Sequence, residues 1–466
     1  MDFEEYRRLD GIALSNLLAR RQVNRQEIVE CAIDAINTVD RFFNSVILRN
    51  FEAALERLGR KSDGRTPSAL DGVPFLLKDV NLYDSEMPTR FASRFFRDAE
   101  PRGDSAMVSR WRAAGLVFLG KTNTPEFAGE FITEPACYGP ALNPWNVKRT
   151  TGGSSGGAAV AVALGLVPVA HATDLGGSIR IPAACCGVFG FKPTSGLNPL
   201  GPFVFEIAGG LDSDHVISRT VRDSAASLNI TADSTKDFQA CLDEPLRQLR
   251  IGVTSVSPEG LKADPDQSSA LNYVARQLEA MGHEIVEYEY PADSVMGVDF
   301  DLLWMMDVYR LVEEHSRAIG RSPSQGELEP LSLWAFEKIR TLGAAAYYEA
   351  RLKRKRAGHA LEESMAGLDI VLTPTLATDP PPVGFLSSRK FENFEEWARL
   401  GYEFAPFSTP ANIAGQPSAS IPAGFSSAGL PVGVQATARR GEDGLVLQLS
   451  AAIEKLNAIE PLAPLP

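Results

Sequence analysis

Residues 150–187 constrain the chain most: here Gly, Ala and Ser make up 19 of 38 residues. The segment opens with Thr151-Gly152-Gly153-Ser154-Ser155-Gly156-Gly157. Residues 157–164 then read as a tightly packed helix and residues 167–173 as an apolar strand. Gly176-Gly177-Ser178 follows as a tight turn into another helix start. Glycine pairs let backbones approach closely and take conformations closed to larger residues. The segment is therefore a place where main chain, rather than side-chain bulk, defines the local shape.

The flanks alternate between the two periodicities. The first seventy residues read as helices, with a capping-box start at Asn24 and Glu27 and apolar Ile28, Ala32, Ile36 and Val39 at helical spacing. Asp71-Gly72 turns the chain into an apolar strand over 73–77, which ends against Lys78. Asp104 is placed as an N-cap, the helix it opens runs to Ala114, Gly115 stops it, and a strand follows over 116–119. Further on, strands are expected over 249–254, 284–290, 369–373, 418–422 and 432–437. Helices are expected over 266–281, closed by Gly282, and over about 443–456. Such alternation predicts an α/β fold. Pro380-Pro381-Pro382 reads as a stiff loop inside the domain, and neither repeat nor linker is visible. One domain over 1–466 is expected.

Charge excludes some functions. The 46 basic and 59 acidic residues leave a net −13, the wrong sign for a nucleic-acid surface. The local basic run from Arg351 to Arg356 lies between helix-like segments and reads as a solvated helix face. Five cysteines without CxxC or CxxH spacing make neither a disulfide framework nor a zinc site, and Cys185-Cys186 read as small buried hydrophobes. The acidic start Met1-Asp2-Phe3-Glu4-Glu5 lacks the apolar stretch of a secretory signal, and no apolar run approaches the ~20 residues of a membrane span. A cytoplasmic protein without metal or cofactor is expected.

Three patterns carry chemistry. In Val73-Pro74-Phe75-Leu76-Leu77-Lys78-Asp79, the lysine ends an apolar strand, where desolvation disfavours its charge; a neutral amine is what a base must be. Asp79 follows it in an extended run, where successive side chains face opposite ways. The loop 151–157 brings two serines into close-packed backbone, and Asp174-Leu175-Gly176-Gly177-Ser178-Ile179-Arg180 can aim several N–H groups at one point, as an oxyanion requires. Alone, Lys78 is an ordinary strand-end lysine and Ser154-Ser155 an ordinary turn. The loop lacks the Lys of a phosphate-binding GxxxxGK[ST]. Its Gly153-x-Ser155-x-Gly157 frame fits a nucleophile elbow, but no strand precedes it at Asn143-Pro144-Trp145-Asn146. His171 alternates with Val169 and Thr173 and reads as structural, with a role near the site as the alternative. Phe300, Trp304, Trp334 and Phe336 read as core before pocket.

Together these segments resemble the amidase signature family. Ser154 and Ser178 lie 24 residues apart, the family's spacing between shuttle serine and nucleophile. Ile181-Pro182-Ala183, Phe191-Lys192-Pro193-Thr194, Gly120-Lys121-Thr122-Asn123, residues 412–417 and Leu430-Pro431-Val432-Gly433-Val434-Gln435 are similar as well. The likeness is strong over about 70–220 and weaker over about 230–400. It implies a central mixed β-sheet covered by helices on both faces, and a Ser–cis-Ser–Lys triad of Ser178, Ser154 and Lys78 with a cis Gly153–Ser154 peptide. The resemblance further implies an oxyanion hole from the N–H groups of Leu175, Gly176, Gly177 and Ser178. Ser155, Thr173, Asp174 and Arg180 would support the triad, and Ala128, Gly129, Glu130 and Phe131 would line the acyl pocket. Ala172 departs from the glycine or serine of many relatives, within the strand and away from the turn.

The implied activity is hydrolysis of carbonyl C–N bonds through an acyl-enzyme, on amides and possible anilides, carbamates (urethanes) or esters. The expected partners are a small-molecule substrate and water, in a monomer or homodimer. Ala170-His171-Ala172-Thr173-Asp174 and Thr133-Glu134-Pro135 look most like bacterial free-standing amidases that include 6-aminohexanoate cyclic-dimer hydrolases. Two alternatives stand beside this reading. One is the amidase subunit of a tRNA-dependent amidotransferase, which typically has Gln where this chain has Ile181; the other is a non-catalytic binding protein on the same fold. Residues 295–345 carry no mappable motif but do carry large apolar side chains, so Trp304 and Met306 are assigned to the substrate pocket.

Overall fold

The structure, a computed structural model, describes residues 1–58, 68–294, 298–457 and 462–465. Eleven strands form one sheet: β1 Val46–Arg49, β2 Pro74–Lys78, β3 Val117–Thr122, β4 Val169–Thr173, β5 Phe189–Lys192, β6 Asp214–Ser218, β7 Arg250–Val253, β8 Glu284–Glu287, β9 Ile370–Pro374, β10 Ser418–Phe425 and β11 Pro431–Ala438. Their spatial order is β1-β3-β2-β4-β6-β5-β10-β11-β9-β7-β8. β2 runs parallel to both β3 and β4, β7 runs parallel to β8 and β9, and the strands between are antiparallel. The sheet is mixed, as expected.

Side chains alternate across a strand, so each strand buries two sets of residues. Leu76 of β2 and Ala170 and Ala172 of β4 pack with the helices Arg25–Thr38 and Gly156–Ala163. Phe75, Leu77 and Val169 point the other way, into a cluster with Met107, Val108 and Trp111 of the helix Ala106–Ala114. Helices thus cover both faces, which is why the strands read as near-continuous apolar runs. Lys78 follows Leu76 in phase, onto the face under the helix Gly156–Ala163. A third apolar layer, built from the helices Val298–Ile319, Pro330–Arg340, Ala344–Ser364 and Phe394–Phe404, closes over the front of the site.

Three expectations need correction. The first seventy residues are not all helical: β1 adds antiparallel to β3 at the sheet edge; the helical expectation for residues 59–67 lies outside the described residues. β5 and β6 went unread, and β6 (Asp-His-Val-Ile-Ser) looks polar because its buried side chains find partners inside, His215 with the Ser224 hydroxyl for one. Ser105, not Asp104, occupies the N-cap before Ala106, and Asp104 instead accepts from the Ser85 N–H and pairs with Arg112. The basic run is a solvated helix face as read: it lies in the helix Ala344–Ser364 with Lys353, Lys355 and Arg356 exposed, and Arg351, Lys353 and Arg354 also meet Glu206, Asp299 and the Gly209 carbonyl.

Candidate active site

Lys78 is fully buried, and its Nζ lies 2.7 Å from Ser154 Oγ, 2.9 Å from Ser155 Oγ and 2.8 Å from Thr173 Oγ1. Burial pulls its pKa down to about 7, against the raising pull of Asp212, Asp214 and Asp174. The Ser155 hydroxyl sits within reach of the Thr173 carbonyl at 3.3 Å, so its proton has an acceptor other than the amine. A neutral amine has two N–H donors and one lone pair. With Ser155 Oγ and Thr173 Oγ1 accepting the two N–H groups, the lone pair is left for the Ser154 hydroxyl. Asp79 stays apart, 3.7 Å from Lys121 Nζ, with the N–H groups of Arg90 and Ala92 on its carboxylate.

Ser154 is held by close-packed main chain. Its peptide bond to Gly153 is cis. A Cβ on Gly153 would stand 2.6 Å from the Glu130 carbonyl oxygen and from the Ile132 amide nitrogen and carbonyl oxygen, so only glycine fits. The Ser155 N–H donates to the Ser178 carbonyl at 3.2 Å, which ties the two serine loops together.

The turn 174–180 is organised by a buried ion pair. Arg180 meets Asp174 with both Nε and Nη2, at 2.9 and 2.8 Å, a bidentate contact. Burial alone would raise the Asp174 carboxyl, but the Arg180 guanidinium overcomes it and holds the carboxyl at about 2. Asn412 donates to Asp174, and Arg180 also donates to Gln435 and to the Ser408 carbonyl. The Gly177 N–H is taken up by Asp174 Oδ1 at 2.8 Å, which departs from the four-amide expectation. Among the described residues, the N–H groups of Leu175, Gly176 and Ser178 have no hydrogen-bond partner. These three amides beside the half-buried Ser178 can serve a carbonyl oxygen.

His171 lies beneath this cluster. Its Nδ1 accepts the Lys78 backbone N–H at 3.2 Å, so Nε2 carries the proton toward Asp214 Oδ1 at 3.0 Å. Burial and the neighbouring Lys78 and Lys121 charges push its pKa well below the usual histidine value. Asn81 donates to Asp212, and burial next to Asp214 raises the Asp212 carboxyl. Nothing in the sequence pattern marked Asn81, Asp212 or Asp214.

Two clefts meet at Ser178. The first, about 520 Å³ with its solvent-open mouth included, lies between Ala128, Gly129, Glu130, Phe131 and the helix carrying Phe300, Asp301 and Trp304. The second, of about 580 Å³, reaches Ser154, Thr173, Asn81 and Asp212. Trp304 borders both, whereas Met306 lies outside them, half-buried in the helical layer. Glu130 is raised to about 8 by burial and accepts the Ser388 N–H. Among the described residues no group of three His, Cys, Asp or Glu side chains could hold a metal ion, and no helix is long and apolar enough to cross a membrane.

Known proteins share this fold over nearly the whole chain. The profile of the family described as Amidase matches residues 27–447. The chain is 33% identical over 470 residues to the 6-aminohexanoate-cyclic-dimer hydrolase of Paenarthrobacter ureafaciens, covering 96% of this chain and 94% of the relative. A solved structure of 6-aminohexanoate cyclic dimer hydrolase complexed with substrate superposes with a TM-score of 0.92 at 30% identity, over 98% of this chain and 99% of that one. One subunit of the glutamyl-tRNA(Gln) amidotransferase of Prochlorococcus marinus is 30% identical over 485 residues, covering 96% and 97% of the two chains. The chain belongs to the amidase signature family, whose members are hydrolases of amide C–N bonds.

Proposed function

We propose that the chain hydrolyses small amides through a Ser178–Ser154–Lys78 triad. Ser178 Oγ attacks the carbonyl carbon. Its proton passes to Ser154 Oγ as the Ser154 proton passes to the lone pair of neutral Lys78. The N–H groups of Leu175, Gly176 and Ser178 receive the oxyanion. Lys78 then returns a proton through Ser154 to the leaving nitrogen, the C–N bond breaks, and an acyl-Ser178 ester remains. Water attacks the ester by the same proton route in reverse, which splits one difficult step into two easier ones.

The observation that carries this reading is the buried amine of Lys78, lowered to about 7 and 2.7 Å from Ser154 Oγ. Ser155 and Thr173 orient the amine, and the Asp174–Arg180 pair holds the turn. The leaving nitrogen must sit beside Ser154, so the cleft that reaches Ser154 takes the leaving group, and the cleft walled by residues 128–131 takes the acyl chain. Anilides, carbamates and esters present the same carbonyl and are candidate substrates. The chain acts without a metal and without partner proteins, as monomer or homodimer, in a compartment that keeps its five cysteines free.

A fluorophosphonate tests the nucleophile. One adduct, on the Ser178 peptide, is expected by intact mass and peptide mapping. An adduct on Ser155 or on Cys137, a thiol that burial raises to about 12, would overturn the assignment. Turnover of an amide and anilide panel by the purified chain alone separates this reading from that of an amidotransferase subunit.

A further inference from the structure

The wall of the acyl cleft facing residues 128–131 carries a carboxylate that the proposed mechanism does not use. Asp301 lies in the first turns of the helix Val298–Ile319 and is only 8% exposed, yet it borders the cleft that ends at Ser178. The Tyr402 hydroxyl donates to Asp301 Oδ1 at 2.8 Å. Among the described residues none donates to Oδ2, and no lysine, arginine or histidine pairs with this carboxylate. Burial, eased only by the Tyr402 bond, raises the carboxyl to about 7, the mark of a carboxylate that has lost water and gained no cation.

Aromatic rings complete the surroundings. Phe131 packs against Tyr402 with centroids 5.3 Å apart and against Trp397 at 5.6 Å, and Trp304 borders the same cleft. The buried hydroxyl of Thr409, which lines the cleft too, has no partner among the described residues. A carboxylate among aromatic faces is the chemistry that recognises an ammonium group: the rings attract the cation electrostatically and the carboxylate accepts its N–H bonds. A purely hydrocarbon acyl chain would leave Asp301 desolvated and unpaired, which costs free energy.

We infer that Asp301 and Tyr402 form an ammonium-binding subsite in the acyl cleft, so that the preferred substrates are amides of amino acids whose cationic amine is carried on the acyl chain. This rests on the proposed triad, which fixes which cleft receives the acyl group. Asp301 acts as a specificity residue through binding, so its effect falls on KM. The other carboxylate near the start of this helix, Asp299, pairs with Lys353 at 2.6 Å, does not border the cleft and serves as a control.

The test compares ω-aminoacyl anilides of increasing chain length with alkanoyl anilides in which a methyl group replaces the ammonium. The wild-type enzyme should favour the best aminoacyl substrate over its alkanoyl partner by roughly tenfold or more in kcat/KM, the discrimination one well-placed charge-assisted contact supplies. Asp301→Asn should bring that ratio to about one, chiefly through KM, and Asp299→Asn should leave it as in the wild type. A ratio near one in the wild type, or a ratio that survives in Asp301→Asn, overturns the subsite. Loss of all anilide turnover would count against the triad reading alone. Calorimetry on Ser178→Ala protein with 6-aminohexanamide and heptanamide then decides the subsite separately: tighter binding of the amine, abolished by Asp301→Asn, sustains it, and equal binding ends it.

Discussion

Residues 150–187 and the helical cover from 298 to 404 face each other across Ser178, and they are built on opposite terms. In the first, nearly every residue is buried, side chains are small, and each functional atom is held by main chain or by a buried ion pair. In the second, long helices present bulky aromatics to the cleft, and Asp301 among them is met by the Tyr402 hydroxyl alone of the described residues. Chemistry needs atoms fixed within a few tenths of an ångström, and close-packed backbone supplies that. Substrate choice needs shape and a few convergent polar groups, which side chains on separate helices provide.

The comparison breaks most sharply at Ser178 and Lys78. Ser178→Ala should lower kcat by roughly 10⁴-fold or more, and Lys78→Ala by a similar amount, because members of a catalytic unit fail together rather than additively. The double variant should be little worse than either single one. Rates that multiplied instead would mean that the two residues act independently, and steady-state kinetics on the three proteins decides it.

The pH dependence comes next. Lys78 is a base only when neutral, and its lowered pKa places that state above about 7 instead of above the usual lysine value. kcat/KM should therefore rise with pH along one basic limb near 7, and at pH 5 only about one molecule in a hundred would hold the free amine. Asp212 and Asp214 interact with Lys78, so the limb reports the group as a whole. Lys78→Arg should lack activity throughout, since guanidinium keeps its proton. A limb that persists in that variant would remove Lys78 from the mechanism.

The two regions also differ in how far they can be read. Each triad segment is a short contiguous run, and its glycines have local causes: Gly153 has no room for a Cβ, and Gly177 sits at φ +126 with a Cβ position 2.3 Å from Ser408 Oγ. Most strands announced themselves as apolar runs because both faces of the sheet are buried. β1, β5 and β6 did not, the first two only four residues long and the third a strand whose polar side chains are satisfied only in three dimensions. Asp301 and Tyr402 lie 101 residues apart and share no spacing that a linear pattern could register. Trp304 and Met306 were grouped by position, but two residues along a helix turn a side chain to another face, so Trp304 reached the cleft and Met306 the helical layer.

That difference gives the third effect. A Cβ on Gly129 would meet the Trp304 ring at 2.3 Å, so the indole packs directly on the acyl-cleft wall. Trp304→Ala should change the ranking of acyl chains by about tenfold in kcat/KM, with bulkier acyl groups gaining as the wall recedes. Met306→Ala should leave the ranking within about twofold. Equal loss on every substrate in Trp304→Ala would make the indole a structural prop.

Among the residues around the triad, the smallest effect is expected from His171, although it touches the catalytic lysine. Its ring accepts the Lys78 N–H and points its own N–H at Asp214, so both nitrogens are occupied by structure. Burial and the nearby lysine charges keep it neutral, and no proton route from Ser178 runs through it. His171→Asn keeps one acceptor and one donor in reach of the same two partners, with a smaller side chain. It should lower kcat/KM by less than about tenfold, through a looser Lys78, and the basic limb should stay near 7. The same histidine links stability to pH. Its native pKa is depressed, so below the ordinary value of about 6.5 the unfolded chain binds a proton that the native site refuses, and stability falls as pH falls through that point. In thermal melts between pH 7 and 5, His171→Asn should therefore lose less stability than the wild type. If the basic limb vanished in this variant while Lys78→Ala retained it, the base would be the histidine, and the division between reacting and supporting residues in the central segment would have to be redrawn.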